Sequence, residues 1–393
     1  MRITHISLKN YRNIDFAGID FAEGINILIG ENANGKTNAV EAIYHFAQGK
    51  SFRTKNIVET IGFDKDMCDI AIDFASDNGK PPPSEDGNPF QKGAEKIYSM
   101  GIKLFRDKSK KFYYNNIQIS KVIEFIGNFR AVLFTPDHLG LVKGNPETRR
   151  KFIDMAISQI KPVYLSYLID CNRILTQRNH LLKHIRQTGQ NPEKLEQFYI
   201  WTKKLAKYSS VITRYRGEYI ERLKEFAPGF YSGLSGGKEG VKLSYVSNIN
   251  KYNPEFKDFH DFETCGNLYG EVFAKCAKEE LAAGTTLYGP QRDDLYIEID
   301  GKSARGLASQ GQQRSAVLAL KLAEGDVSKI SHGEYPVFLL DDILSELDRN
   351  RQDFILKNLS GRQVIITCCN VELLGGININ ASKTIKVENG VFL

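Results

Sequence analysis

The chain has 393 residues, of which 41% are hydrophobic, and this length predicts a large core divided between two domains or lobes. Its net charge of +6 is a mild basic excess, and its six cysteines lack the spacing of a metal site or a disulfide scaffold, so we expect a protein of the reducing cytoplasm. The sequence contains neither a signal-peptide core nor an apolar run of 18 residues, and we therefore expect no association with a membrane.

A phosphate-binding loop is the first motif along the chain. Residues 1–30 alternate apolar and polar side chains, which predicts two or three short strands, and the apolar run Ile25–Ile29 leads directly into GENANGKT. A helix is predicted to follow, so its first N–H groups would bind the β-phosphate of a nucleotide. Lys36 would neutralise phosphate charge, and the Thr37 hydroxyl would hold Mg²⁺. We therefore expect ATP and Mg²⁺ at a loop formed by Gly30, Glu31, Asn32, Ala33, Asn34, Gly35, Lys36 and Thr37.

The rest of the chain alternates strands and helices. Ser76–Lys96, with three consecutive prolines, is expected to be a flexible surface insertion. Pro228-Gly229 is expected to end the longest helical segment, after which the chain becomes loop-rich. The predicted elements are strands at Met67–Phe74 and Ile97–Phe105, a hairpin over Lys108–Ile119 with its turn at Asn115-Asn116, helices from Glu147 to about Phe226, a helix over Leu268–Gly284, a strand at Leu295–Ile299, a helix over Gly311–Glu324, a strand at Val337–Leu340, a helix over Arg351–Leu359 and a strand at Gln363–Thr367.

Two acids end the apolar strand that begins at Val337, as in a Walker B motif. A carboxylate at the C-terminal edge of a parallel strand, beside the P-loop strand, would complete the Mg²⁺ shell. Asp341 is therefore expected to bind the metal, and Asp342 to polarise the attacking water as a general base. A capped strand end is the alternative interpretation. The predicted catalytic residues are Lys36, Asp341 and Asp342.

The segment ASQGQQR, from Ala308 to Arg314, resembles the signature motif of the ABC ATPases. In that family the motif closes over the γ-phosphate held by the partner's P-loop, which implies two subunits that sandwich two ATPs. Ser309, Gly311 and Gln312 would then reach the partner's phosphate. The alternative is an ordinary helix N-cap formed by Ser309. SELD, from Ser345, resembles the D-loop of the dimer interface, and Thr367 stands near the position of the transporter histidine switch, where its hydroxyl would contact the γ-phosphate.

Six motifs together resemble the RecF family of SMC-like bacterial recombination mediators, in the family's order and across essentially the whole chain. They are LKNYRN, GENANGKTN, FTPDHLGLVKGNPETRR, GPQRDDL, SQGQQR and LLDDILSELD, with Gln291 where the family has a histidine. The resemblance implies an α/β fold, a P-loop NTPase of ABC/SMC-head type whose mixed-sheet lobe carries an inserted, mainly helical lobe without a long coiled coil. We place the ATPase lobe at residues 1–140 and 289–393 and the basic helical lobe at 141–288.

The resemblance also implies a function. It implies an ATP-dependent homodimer that binds gapped, single-stranded or junction DNA, hydrolyses ATP slowly, and works with RecO and RecR to help load RecA. Asp342 is one methylene shorter than the usual glutamate, which predicts weak activation of water. Arg12 would reach the phosphates or the adenine, although a solvated turn arginine is equally consistent with the sequence, and Arg53 is similarly ambiguous. Asp137 lies where the ABC fold places its Q-loop.

The helical segment is the candidate DNA surface. Residues 143–225 contain 17 Lys and Arg against 8 Asp and Glu, so the positive charge is concentrated there. Such cations make salt-dependent phosphate contacts, although many are also expected on solvated helix faces, and we expect fewer than half to touch DNA. The nearby aromatic residues Phe152, Tyr164, Tyr167 and Phe198 are expected in the core. The candidates for DNA contact are Arg149, Arg150, Lys151, Arg173, Arg178, Lys183, Arg186, Lys203, Lys204 and Lys207.

Three other functions remain open at this point. An ABC transporter ATPase subunit is expected to carry a histidine switch and an Asp-Glu Walker B motif, and this sequence has neither. A nucleotide-gated nuclease is expected to need a further domain after the last core strand. A scaffold that binds ATP without hydrolysing it is separated from an ATPase only by kinetics.

Overall fold

The structure, a computed structural model, describes residues 1–77, 96–252, 261–370 and 381–393. Most of the expected insertion at Ser76–Lys96 therefore lies outside the described residues. The chain divides into two compact units, an ATPase lobe of Met1–Leu139, Gly229–Lys238 and Arg314–Leu393, and a helical lobe of Gly140–Pro228 and Glu239–Gln313. Residues 289–313, which we expected in the ATPase lobe, thus belong to the helical lobe.

The described strands and helices are numbered separately in chain order. The strands are β1 Arg2–Tyr11, β2 Ile14–Asp20, β3 Ile25–Ile29, β4 Met67–Ala75, β5 Ile97–Phe105, β6 Lys110–Tyr114, β7 Ile117–Ile119, β8 Ala131–Phe134, β9 Val241–Val246, β10 Asp294–Ile299, β11 Lys302–Ser303, β12 Val337–Asp341, β13 Val364–Cys368, β14 Lys383–Glu388 and β15 Val391–Phe392. The helices are α1 Lys36–Gln48, α2 Val122–Phe125, α3 Gly140–Lys143, α4 Pro146–Ile160, α5 Pro162–Thr188, α6 Pro192–Ser235, α7 Phe262–Ala283, α8 Ala304–Leu307, α9 Gln310–His332 and α10 Arg349–Asn358.

Two sheets form the ATPase lobe. One is antiparallel, in the order β2-β1-β4-β5-β6-β7, and its strands alternate buried and more exposed residues. The other has the order β15-β14-β3-β13-β12-β8 and is parallel from β14 to β8. Its central strands β12 and β13 are buried at every position, which explains their continuous apolar sequence. Gln363 joins the two sheets, because its side-chain amide donates to the backbone carbonyl oxygen of Ile3 (2.8 Å) and accepts from the backbone N–H of Ile3 (2.7 Å).

The hairpin predicted between Lys108 and Ile119 is confirmed as β6 and β7. Asn115 and Asn116 have φ angles of 48° and 64°, the left-handed pair that a two-residue turn between twisted strands requires. The strands predicted at the N-terminus, at Met67–Phe74 and at Ile97–Phe105 are likewise confirmed. Among the described helices, none combines the length and the apolar character needed to cross a membrane.

The helical lobe contains the long helices α4, α5 and α7 and a three-stranded sheet in the order β11-β10-β9. The predicted end of α6 at Pro228 is wrong, because this 44-residue helix continues to Ser235 with the proline inside it. A proline in a helix costs about 3 kcal/mol through a lost hydrogen bond and a steric clash. Ala227 and Tyr231 on either side are fully buried, and the burial of a tyrosine ring offsets a cost of this size. Strand β9 then lies in the segment that we expected to be loop-rich.

Candidate nucleotide site and basic surface

The P-loop connects β3 to α1 in the conformation that the motif predicts. Gly35 precedes α1 with a φ of 109°, and Ala33 has a φ of 69°, a left-handed value that is strained for a residue with a Cβ. The buried Lys36 ammonium donates to the carbonyl oxygens of Gly30 (2.6 Å) and Glu31 (2.8 Å). The lysine is therefore held directly over the loop on which phosphates bind in P-loop proteins.

The hairpin of β14 and β15 supports this loop from outside. The side-chain amide of Asn34 donates to the carbonyl oxygen of Val387 (3.2 Å), and the backbone carbonyl oxygen of Asn34 accepts from the Gly390 N–H (2.9 Å). A Cβ at Gly30 would collide with the Val387 carbonyl oxygen, so only glycine fits there. Asn13 donates to the carbonyl oxygen of Ala33 (3.0 Å) from the other side. We did not predict these contacts, although the Asn389-Gly390 pair, with both φ angles positive, is a recognisable turn signal.

The two Walker motifs meet at Asp341, at the end of β12. The Thr37 hydroxyl lies 2.9 Å from Asp341 Oδ1. The expected strand order is wrong in one detail, since β13 lies between β3 and β12. As a result Thr367 of β13 is in register with Asp341, and its hydroxyl donates to the same Oδ1 (2.9 Å) while accepting from Asp342 N–H (2.9 Å). The Thr367 hydroxyl therefore holds both Walker B residues, and its contact with a γ-phosphate stays a prediction.

Burial raises the pKa of the Asp341 carboxyl, although hydrogen bonds from Thr367 and Thr37 oppose that effect and the charge of Asp342 adds to it. A desolvated carboxylate beside a hydroxyl is a fitting donor pair for Mg²⁺, which prefers oxygen ligands. Asp342 has a φ of 54°, and aspartate is one of the residues that tolerate this left-handed region. The site thus offers two differently held carboxylates, one that is buried and fixed by two hydroxyls and one that is more accessible and stands on a left-handed backbone.

A buried acid of the P-loop helix α1 organises two of the arginines that we considered. Glu41 of α1 is completely buried and binds the Arg12 guanidinium through both carboxylate oxygens. Burial lowers the pKa of Arg12, but the hydrogen bonds and charge of Glu41 more than compensate and raise it. Arg53 lies 3.5 Å from the same carboxylate and donates to Asn38 (2.7 Å). Glu41 therefore fixes both guanidinium groups, and a phosphate or adenine contact by Arg12 stays a prediction.

Residues 308–313 of the signature segment lie in the helical lobe, and the segment contains the start of α9. Ser309 and Gln312 form a reciprocal capping box, since Gln312 N–H donates to the Ser309 hydroxyl (3.2 Å) and Ser309 N–H donates to Gln312 Oε1 (2.8 Å). The local N-cap interpretation is therefore confirmed, and the contact with a partner's phosphate stays a prediction. Leu307, just before the cap, is 70% exposed. In the ATPase lobe, Arg314 donates to the backbone oxygen of Glu346 (2.5 Å) and so connects to the D-loop.

Two of the predicted DNA contacts are wrong because the side chains are buried in ion pairs. Arg149 binds both carboxylate oxygens of Asp294 at 2.6 and 2.7 Å and donates to three backbone carbonyl oxygens around α3. Arg178 is completely inaccessible and binds Glu280 at 2.5 Å. Since neither guanidinium reaches the surface, both arginines stabilise the helical lobe. Arg150 is half-buried and donates to the carbonyl oxygen of Asp293 (2.8 Å).

The remaining candidates lie on the surface. Lys151 pairs with Glu147 (2.6 Å), and Lys204 lies over the Trp201 ring, 4.9 Å from its centroid. The predicted burial of Phe152, Tyr164 and Phe198 is confirmed, whereas Tyr167 is partly exposed. The exposed cations of the predicted set are Lys151, Arg173, Lys183, Arg186, Lys203, Lys204 and Lys207.

Comparison with known proteins places these features in context. The RecF/RecN/SMC N-terminal domain family matches residues 2–391. The DNA replication and repair protein RecF of Bacillus mycoides (strain KBAB4) is 37% identical over 392 residues, which cover 99% of this chain and 98% of the relative. RecF of Bacillus cereus (strain AH820) gives the same identity and coverage.

Solved structures give the same result. Structures of the recombination mediator protein RecF in the RecFOR pathway, one with ATPrS and one with ATP, match with a TM-score of 0.86 and 30% identity. They cover 99% and 100% of this chain and 97% of each solved chain. An Smc head bound to the C-winged helix domain of ScpA matches with a TM-score of 0.54 at 16% identity over 100% of this chain and 96% of the head, a likeness of fold alone. The predicted fold class, a P-loop ATPase head of ABC/SMC type with a helical lobe, is confirmed.

Proposed function

This chain belongs to the RecF family of DNA replication and repair proteins, and on that premise we propose that it is an ATP-operated switch that holds DNA at gaps or at junctions of single and double strand. The observation that carries the proposal is the hydrogen bond between Thr37 and Asp341, because it brings together two motifs that are 304 residues apart. A hydroxyl and a carboxylate in this arrangement complete a nucleotide site.

The nucleotide-binding step rests on the loop from Gly30 to Thr37. Its backbone N–H groups at the start of α1 would bind phosphate oxygens, and Lys36 would leave the two carbonyl oxygens it now contacts to reach the β- and γ-phosphates. Thr37 and Asp341 would hold Mg²⁺, which when bound neutralises phosphate charge. Asp342 would orient the attacking water, and its short side chain is consistent with slow turnover. We therefore expect a weak ATPase.

The switch requires two subunits. Ser309, Gly311 and Gln312 at the start of α9 would contact the γ-phosphate held by a partner's P-loop, with N–H groups and a helix dipole that favour an anion. The exposed Leu307 beside them is suited to burial in such an interface. Since these contacts exist only while the γ-phosphate is present, hydrolysis would open the dimer.

The clamp then closes on DNA through the helical lobes, whose exposed cations make contacts that do not depend on sequence. Within the recombination pathway we expect RecR and RecO to be partners and RecA to act downstream. Solved relatives of this chain are described as recombination mediators of the RecFOR pathway, which supports this placement.

Light-scattering mass measurements test the proposal directly. The protein, Lys36→Arg and Ser309→Arg are each measured with and without ATP and Mg²⁺, alone and with a gapped duplex. We expect ATP to double the mass of the unaltered protein, neither variant to dimerise, and DNA to join only the dimer. A protein that stays monomeric with ATP and binds DNA equally well would remove the role of Ser309 in a partner's site.

A further inference from the structure

A cavity of about 460 Å³ opens in the helical lobe between the start of α5 and the middle of α6. Its lining combines cations with tyrosine rings, a composition unlike that of an apolar core gap. The cations are Lys161, Lys207, Arg214 and Arg222, the rings are those of Tyr167, Tyr208 and Tyr215, and Glu218 contributes the single acid of the lining.

The α6 side of the cavity is one continuous helix face. Its lining residues follow the positions i, i+1, i+4, i+7, i+8, i+11 and i+15 from Lys207 to Arg222, a period close to 3.6 residues. At about 1.5 Å per residue this face is about 22 Å long. A basic residue followed by a tyrosine occurs twice along it, at Lys207-Tyr208 and again seven residues later at Arg214-Tyr215. Positive charge and aromatic surface therefore alternate along the cavity.

The rings are held in place by neighbours. Tyr208 packs edge-to-face against Tyr167 with 6.1 Å between centroids, and Tyr215 packs edge-to-face against Tyr164 at 5.4 Å. Tyr164 is completely buried, and its hydroxyl donates to Asp154 (2.5 Å). An aromatic surface fixed in this way loses little side-chain entropy when a flat ligand stacks on it.

The charges remain accessible. Lys207 and Arg222 are exposed, and Arg214 is bound to Glu218 at 2.7 Å in a pair of which both members reach solvent. A solvent-exposed pair of this kind contributes little to stability, so a phosphate group can replace Glu218 at small cost. The lining carries four cations against one acid and is suited to an anion.

We propose that this cavity binds single-stranded nucleic acid, with the cations of α6 on successive phosphates and the rings of Tyr208 and Tyr215 stacked on unpaired bases. Double-stranded DNA satisfies the cations alone, because its base faces are covered within the stack. An acidic peptide likewise uses the charges and leaves the rings without a flat partner. The proposal rests on the proposed function in DNA repair, and it gives the single-stranded arm of a gap or junction its own site on the helical lobe.

Anisotropy titrations of the full chain in the presence of ATP and Mg²⁺ test this assignment with two labelled probes, one an oligothymidine and one an abasic strand of the same length and charge. We expect the unaltered protein to prefer the oligothymidine. Tyr208→Leu and Tyr215→Leu should each weaken oligothymidine binding by about tenfold, since each removes one ring on which a base stacks, and should leave binding of the abasic strand unchanged. Lys207→Gln should weaken both probes and reduce the salt slope by about one.

Matched controls lie on the same helix outside this cavity. Tyr199→Leu removes an exposed ring that lines a different cavity, between α6 and α7, and Lys224→Gln removes a cation that pairs with Glu221 and lines neither cavity. Both variants should bind both probes as before. Tyr208→Phe keeps the ring and should retain full affinity, which separates stacking from folding defects. Unchanged oligothymidine binding in both tyrosine-to-leucine variants would overturn the proposal, as would equal losses in the controls.

A labelled polyglutamate peptide decides the remaining alternative. The cavity is a peptide site, and the proposal is wrong, if the peptide binds the unaltered protein and binds more weakly to Lys207→Gln but not to Tyr208→Leu, while both variants bind oligothymidine as the unaltered protein does. An unaltered protein that binds neither duplex nor single strand would contradict the proposed function itself, an outcome distinct from failure of this one site.

Discussion

Replacement of Arg178 by methionine is expected to unfold the helical lobe more readily without a specific effect on DNA binding. The guanidinium donates to Thr202 (3.0 Å), Thr286 (2.7 Å) and Glu280 (2.5 Å) and lies between the rings of Phe198 and Phe273, with centroids 4.7 and 5.2 Å away. Both members of the Arg178–Glu280 pair are fully buried. Methionine leaves the buried glutamate charge without its cationic partner and with only the Leu287 N–H as a donor (2.8 Å), which costs about 3–5 kcal/mol.

The assay follows from the single tryptophan of the sequence. Trp201 packs against the cluster of Leu181, Leu182, Ile185 and Phe198, so its fluorescence during urea denaturation reports on the helical lobe. Arg178→Met should lower the free energy of unfolding by about 3–5 kcal/mol, whereas Arg178→Met with Glu280→Met should recover most of that loss because no charge remains buried. Arg173→Met, on the exposed face of α5, should cost less than about 1 kcal/mol.

The DNA affinity of Arg178→Met, measured under conditions in which the variant is folded, should equal that of the unaltered protein. The reasoning is refuted if this variant denatures at the same urea concentration as the unaltered protein while its DNA affinity and salt slope both fall. That result would mean that the guanidinium reaches phosphates in solution.

Three further outcomes are expected. Thr367→Val should slow Mg²⁺-dependent release of phosphate from ATP by about tenfold, because a hydrogen bond to a charged group contributes about 1.5–3 kcal/mol and both Walker B residues lose the hydroxyl that holds them. Thr367→Ser keeps that hydroxyl and should retain activity. A valine variant that is as fast as the unaltered protein would contradict this role of Thr367. Ala33→Gly should raise the free energy of unfolding by up to about 1 kcal/mol by relieving the left-handed backbone, whereas Ala39→Gly within α1 should lower it by about the same amount; urea titration distinguishes the two signs. Burial, with Lys110 and Arg12 nearby, lowers the pKa of His45 from 6.5 to about 3. The neutral histidine therefore contributes its full stability above pH 6.5, and this contribution is lost as the pH falls toward 3, so we expect the free energy of unfolding to be about 2 kcal/mol lower at pH 5 than at pH 7.5. If the pH dependence of stability is unchanged in His45→Leu, this assignment is wrong.

The strands and the P-loop could be predicted because local sequence determines them. The alternation of β4 and β5, the apolar run of β12 and the glycines of the loop each carry their own signal within a few residues. The end of α6 was missed for the opposite reason, since Pro228 is a local stop signal that the tertiary burial of its neighbours overrides. Strand β9 was missed because it depends on pairing with β10, about 50 residues later in the chain.

The same distinction applies to the site. Lys36, Thr37 and Asp341 could be singled out because their motifs are contiguous in sequence. The pairing of Thr367 with Asp341 depends on the register between β12 and β13, which the sequence of neither strand reveals. The roles of Arg149 and Arg178 were misjudged because residue type does not distinguish a solvated arginine from one that binds a buried acid; only the positions of Asp294 and Glu280 in three dimensions decide that.

The support of the P-loop by the last hairpin affects when this protein first becomes able to bind a nucleotide during its synthesis. Asn34 and Val387 are 353 residues apart, and the Gly390 N–H that binds the Asn34 carbonyl oxygen is translated later still. A growing chain therefore exposes GENANGKT to the cell long before the residues that shape it have left the ribosome. Contacts of such long range also form slowly. We therefore expect a nascent or truncated copy that lacks this hairpin to bind ATP more weakly than the finished protein.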